Sequence, residues 1–185
     1  MAADETKGQQ HWIYVLGGVA SLLKVRKWEE RKSQQGKKYE VIEGGPLGSE
    51  SGRLRCVQSD DVVYVFADAV RDGRLGDWEM GPEDLARHLR AEGLQQGHRS
   101  LKIFASWSGD EAESASYAER LYEVMRPEYP ELTVFGYLGQ VDAEGFDGHK
   151  TAGLGEGEAL TTMSREEWTA KGARARDNRV QFPPE

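Results

Sequence analysis

Val62-Val63-Tyr64-Val65-Phe66-Ala67-Asp68-Ala69 is the stretch on which the fold turns. Its first five residues are β-branched or aromatic without alternation, the composition of a strand buried on both faces. Strands of that kind belong to parallel sheets covered by helices on either side. The segments around it agree. Gly81-Pro82-Glu83-Asp84 opens a helix, with proline in the first turn and two acids against the positive end of the dipole. Leu85, His88 and Leu89 give that helix its inward face, and Gly93 can end it. Leu101–Ala105 predicts the next strand. Asp110 and Glu113 read as a D-x-x-E capping box, followed by a helical stripe of Ala118, Leu121, Tyr122 and Met125 up to Pro127. Leu132–Leu138 is a further strand.

Upstream, Trp12–Leu16 predicts a strand running into Gly17-Gly18, then a helix over Val19–Lys32 with Val19, Leu22, Leu23 and Trp28 facing inward. Tyr39–Ile42 and Arg53–Gln58 are two more strand candidates. Strands alternating with helices make βαβ units. The expected architecture is three-layer α/β, a mostly parallel sheet with helices on both faces. Residues 1–150 form the α/β domain, and 151–185 are a Gly-rich loop and short helix, starting near Ser164, that pack on it or stay loose. Leu, Ile, Val and Phe supply 36 of 185 residues but only 6 of the last 45, so the core is built before the tail. Pro183 and Pro184 bar a central strand there.

Composition narrows the function. Lys plus Arg number 24 against 32 Asp plus Glu, a net charge of −8 that argues against nucleic acid as partner. No apolar run reaches membrane-span length, and MAADETKGQQ lacks the character of a signal peptide, so a cytoplasmic setting (or delivery into a cytoplasm) is expected. Cys56 is the single cysteine, which excludes an intrachain disulfide and a cysteine-built zinc site. The histidines His11, His88, His98 and His149 have no metal-ligand spacing, and neither a metal nor a cofactor is expected. Gly17-Gly18 lacks the rest of a phosphate-binding fingerprint and reads as a tight turn. Lys24, Arg26, Lys27, Arg31 and Lys32, continued by Lys37 and Lys38, form a positive patch that reads as a solvated helix face open to an anionic partner.

In a parallel sheet, ligands meet the crevice beyond the carboxyl ends of the strands. Two such ends stand out: Ala67-Asp68-Ala69 and Ala105-Ser106-Trp107-Ser108-Gly109. Asp68 should lie on a neighbouring strand at the height of Ser106. No G-x-S-x-G elbow is present. In the plainer reading, Ser106 or Ser108 caps the next helix and Asp68 a turn.

The order of these elements resembles the caspase-like clan of cysteine peptidases, and within it the autoprocessing cysteine peptidase domains of large bacterial toxins. Ala67-Asp68-Ala69 stands where that clan has a G-H-G motif with the catalytic histidine. Ala105-Ser106-Trp107-Ser108-Gly109 stands where it has A-C-x-S-G with the nucleophile. Gly81-Pro82-Glu83-Asp84-Leu85-Ala86 is similar to the family's S-P-E-E-L-A helix start, and Gly136–Ala143 resembles the strand and turn after the nucleophile helix. The likeness covers about Asp61 to Lys150.

The resemblance implies a dyad of Asp68 and Ser106, both departing from the family's residues. An aspartate is too weak a base to activate a serine hydroxyl usefully near neutral pH, so the resemblance implies a degenerate site. The leading expectation is a protein-binding module for another protein or an extended peptide segment, in a toxin, effector or immunity context. Its crevice would be formed by Ala67, Ala69, Trp78, Trp107, Ser108 and Gly109. The alternative is a hydrolase in which a loop brings His149 to Ser106. The family's toxin members respond to inositol hexakisphosphate. Here the corresponding cations, Lys150, Arg165, Lys171, Arg174, Arg176 and Arg179, would have to converge, which nothing in the sequence requires, so an inositol polyphosphate is not expected.

Overall fold

A computed structural model of the chain describes residues 9–46, 50–112, 115–142, 150–152 and 173–184. In chain order its elements are β1 (His11–Val15), α1 (Val19–Gln34), β2 (Tyr39–Glu43), β3 (Val62–Arg71), β4 (Arg74–Leu75), α2 (Pro82–Ala91) and β5 (Ser100–Ser106). There follow β6 (Glu111–Ala112), β7 (Ala115–Ser116), α3 (Tyr117–Met125), β8 (Thr133–Tyr137), β9 (Gln140–Asp142), β10 (Lys150–Ala152), β11 (Ala173–Arg174) and β12 (Arg179–Phe182). The main sheet runs β2-β1-β3-β5-β8-β12, with β4 hooked onto β3. Its first five strands are mutually parallel and β12 is antiparallel at the edge. This is the expected α/β architecture.

The apolar run at β3 is central and buried on both faces because its pleat feeds two cores. Val63, Val65 and Ala67 join Leu85 and Leu89 of α2 and Leu121 and Met125 of α3. Val62, Tyr64 and Phe66 join Val25 and Trp28 of α1, with Phe104 and Tyr137. Among the described residues two helices cover one face and one covers the other, giving three layers. Gly93 ends α2 as expected, taking φ of +91° while its N–H returns to the Arg90 carbonyl at 2.8 Å.

Three local expectations are corrected. The inward face of α1 is Ser21, Val25, Trp28 and Lys32, while Val19 and Leu23 are exposed. Both sets have helical spacing, and the phase is chosen by the indole of Trp28, which packs 4.7 Å from the Phe104 ring and edge-on to Tyr64 at 5.4 Å. Arg53–Cys56 is a turn, anchored by Leu54 N–H on the Glu92 carbonyl at 2.8 Å. The helix after β5 is capped by Ser116, whose hydroxyl accepts the Glu119 N–H at 3.1 Å. Asp110 instead accepts the Gly139 N–H at 2.9 Å, and the β6–β7 hairpin lies between it and α3. The helix expected near Ser164 falls outside the described residues. From the tail, β12 closes the main sheet next to β8, and β11 pairs with β10 in a small antiparallel sheet with β9.

Candidate functional site at the strand ends

Strands β3 and β5 bring the two singled-out segments side by side. Their parallel register runs from Val62 opposite Ser100 to Phe66 opposite Phe104, then slips so that Ala69 faces Ser106. The irregularity swings Asp68 outward. Its carboxylate takes an ion pair with Lys24 Nζ of α1 at 3.0 Å, and both side chains remain over two-fifths exposed.

Ser106 is turned to a different task. It is 4 % exposed, and its hydroxyl accepts the Val141 N–H at 3.1 Å and lies 3.5 Å from the Val141 carbonyl. It thereby fastens β9 to the end of β5. Asp68 and Ser106 are neighbours in the sheet, yet each is engaged with a different element. His149 falls outside the described residues.

Ser108 is enclosed completely. Its hydroxyl donates to the Ile103 carbonyl at 2.7 Å and accepts the Tyr137 N–H at 3.0 Å. Gly109 is there because the backbones of two segments meet. A Cβ on it would sit 2.9 Å from Tyr137 N, and a Cβ on Gly136 would sit 2.7 Å from the Gly109 Cα. Ala67 and Ala69 are buried as well. Thus Ala67, Ala69, Ser108 and Gly109, expected to line a crevice, shape it from beneath. Trp78 is half-buried, edge-on to His88 at 6.3 Å. Trp107 is the expected rim residue that does face solvent. It is 41 % exposed, and its backbone adopts φ of +61°, a left-handed conformation rare for a large side chain. Its N–H is held by the Gly139 carbonyl at 2.8 Å.

The sequence did not mark three companions of Trp107. Val19 (75 %), Leu23 (58 %) and Leu138 (36 %) complete the large exposed apolar side chains among the described residues. Val19 and Leu23 follow β1 but lie on the outward face of α1, opposite its buried stripe, whereas Trp107 and Leu138 follow the adjacent strands β5 and β8 and share their carboxyl-end rim. A cavity of about 410 Å³ adjoins the rim beside Asp68 and Ala69, bounded by Asp72, Arg74, Asp77 and Glu79.

The positive patch is largely spent. Lys24 is paired with Asp68, Arg26 with Glu29 at 2.9 Å, and Lys32 is buried. A different cationic group lies on the α1 face of the sheet. Lys102 of β5 has its ammonium 3.4 Å from the Tyr64 hydroxyl and 5.5 Å from the Phe135 ring, while the Arg179 guanidinium sits 4.3 Å over that same ring. Burial, and then the nearby Arg179, bring the Lys102 pKa down to about 8. Burial, then Lys102 and Lys37, hold His11 below its ordinary value, and its Nδ1 is buried without a partner among the described residues. Of the tail cations, Arg179 is the one with a described side chain. Among the described residues no group of three or more His, Cys, Asp or Glu is placed to hold a metal ion, and no helix is long and apolar enough to cross a membrane. No protein-family model matches the sequence, and no curated protein matches it.

Proposed function

We propose that this chain is a caspase-like domain without a working dyad that binds another protein, accepting an extended segment of it at the carboxyl ends of the parallel strands. The observation that carries the reading is the exposure of both Trp107 and Leu138 where the adjacent strands β5 and β8 end, with the Trp107 N–H held by the Gly139 carbonyl. Single exposed apolar side chains are ordinary, but their concentration at one site is the mark of a docking surface. Holding Trp107 outward costs about 1–3 kcal/mol of backbone strain, an expense commonly met at binding sites. The engagement of Asp68 by Lys24, and of Ser106 by Val141, supports a structural use of both residues. A toxin, effector or immunity setting is part of the same proposal and follows from the resemblance alone.

The test is affinity capture from lysate with the wild type, the Asp68→Ala/Ser106→Ala double variant and Trp107→Ala, with eluted species read by intact mass. One partner held whole by the first two and lost with the third is expected. A partner cleaved or modified by the wild type alone sinks the reading and restores a live site.

A further inference from the structure

Strand β12 closes the main sheet, and among the described residues no strand pairs with its outer side. The Leu138 N–H donates to the Asn178 carbonyl at 2.9 Å, so the rungs to β8 fall on Asn178, Val180 and Phe182. Tyr137, opposite Arg179, agrees: its N–H goes to Ser108 and its carbonyl to Gly109 N, both away from β12. The N–H and carbonyl groups of Arg179 and Gln181 consequently point outward, an open edge of the kind another chain can complete. Along that edge runs a groove of about 750 Å³, whose walls include Gly109, Glu111, Leu138, Val180, Phe182 and Pro184. Leu138 belongs both to this groove and to the strand-end rim, so the two surfaces are continuous.

We propose that the partner's segment is bound as an added β-strand on the outer edge of β12. This rests on the protein-binding reading above and says what the partner presents there. A second copy would bring its own β12, Arg179-Val180-Gln181-Phe182, to that edge and no acid to Arg179, which favours a separate short strand over a second copy of the chain. The alternation of β12 sets its chemistry. On the Val180 and Phe182 side, where Phe182 packs against the α2–α3 core, the segment presents apolar side chains. On the Arg179 side it presents an acid, because Arg179 has no carboxylate partner among the described residues and has Lys102 as its neighbour. Pro183 ends the edge, so two residues of β12 supply the new backbone bonds.

The experiment selects twelve-residue peptides from a phage-displayed random library on the whole protein. The tightest peptide is then measured by fluorescence anisotropy on the wild type, Trp107→Ala and Gln181→Pro, with amide exchange followed in the wild type. The Gln181→Pro change removes an outward N–H and spares the rungs to β8. The expected peptide alternates apolar residues with an acid, slows exchange at the Arg179 and Gln181 amides, and binds Gln181→Pro at least tenfold more weakly. Should Gln181→Pro fail to fold, the exchange at those two amides decides. A peptide that needs Trp107 but leaves both amides unprotected overturns the added strand and keeps the rim. Selection that yields nothing sensitive to either change overturns both. Protection of the same amides by concentration-dependent dimerisation, seen by sedimentation without peptide, also overturns the proposal in favour of a second copy.

Discussion

Replacing Ser108 by alanine should cost this protein far more than a small polar-to-apolar change ordinarily does. The direct ladder between β5 and β8 reaches only to Lys102 opposite Phe135. Beyond that point the Ser108 hydroxyl links the Ile103 carbonyl at 2.7 Å to the Tyr137 N–H at 3.0 Å, standing in for the next rung. Alanine fits the space but leaves a buried donor and a buried acceptor unmatched, each worth about 1–3 kcal/mol. With partial rescue of the carbonyl, the expected loss is about 2–4 kcal/mol. In urea, with a slope of about 2 kcal/mol/M for a domain of this size, the midpoint should fall by about 1–2 M while the slope holds. Amide exchange should become faster at Tyr137 before it does in β3. A midpoint shift under about 0.2 M, with Tyr137 still protected, would show that the hydroxyl carries no rung and that the junction is held by packing alone.

Gly136→Ala should destabilise by about 1–3 kcal/mol, since its Cβ would lie 2.8 Å from both the Ala118 Cβ and Gly109 N; an unchanged melting temperature would mean that the two segments can part cheaply. By contrast, Asp68→Ala should change stability by less than about 1 kcal/mol in a denaturant titration, because its pair with Lys24 is solvent-exposed. His11, His88 and His98 are each lowered from 6.5, chiefly by burial, so the unfolded chain takes up protons first as pH falls. Stability should hold from pH 6.5 up to about 8, where Lys102 begins to titrate, and drain away below 6.5 as the histidines charge, a slope visible in melts at successive pH values and contradicted by a flat profile.

The sheet was legible where the chemistry is local. Val62–Phe66 announces a strand covered on both sides, and Gly81-Pro82-Glu83-Asp84 announces a helix start, because composition alone carries those signals. The phase of α1 was not, since Val19 with Leu23 and Val25 with Trp28 are equally good stripes until Phe104, Tyr64 and Phe66 offer a socket for one of them. The helix cap was misread for a related reason. Asp110 with Glu113 and Ser116 with Glu119 both fit the box, and Gly139, nearly thirty residues on, claims the first. Ser106 stood out correctly as the residue that ends β5, but not as one engaged with β9, because its partner Val141 is 35 residues away and no spacing rule points to it. The rim was half visible. Trp107 is marked by its place after β5, whereas Leu138 acquires meaning only when β5 and β8 are known to end side by side.

Once Trp12, Trp78 and Trp168 are replaced by phenylalanine, the opposite placement of the two remaining indoles gives the molecule a pair of optical reporters. Trp28 is shut among Phe104, Tyr64, Tyr39 and Phe66, while Trp107 stands at the far end of the strands in water. Emission from the first should be blue-shifted and shielded from acrylamide, and emission from the second red-shifted and readily quenched. Loosening of α1 would then unmask the blue component alone, and occupation of the rim would silence quenching of the red one, so a single cuvette could tell unfolding from binding.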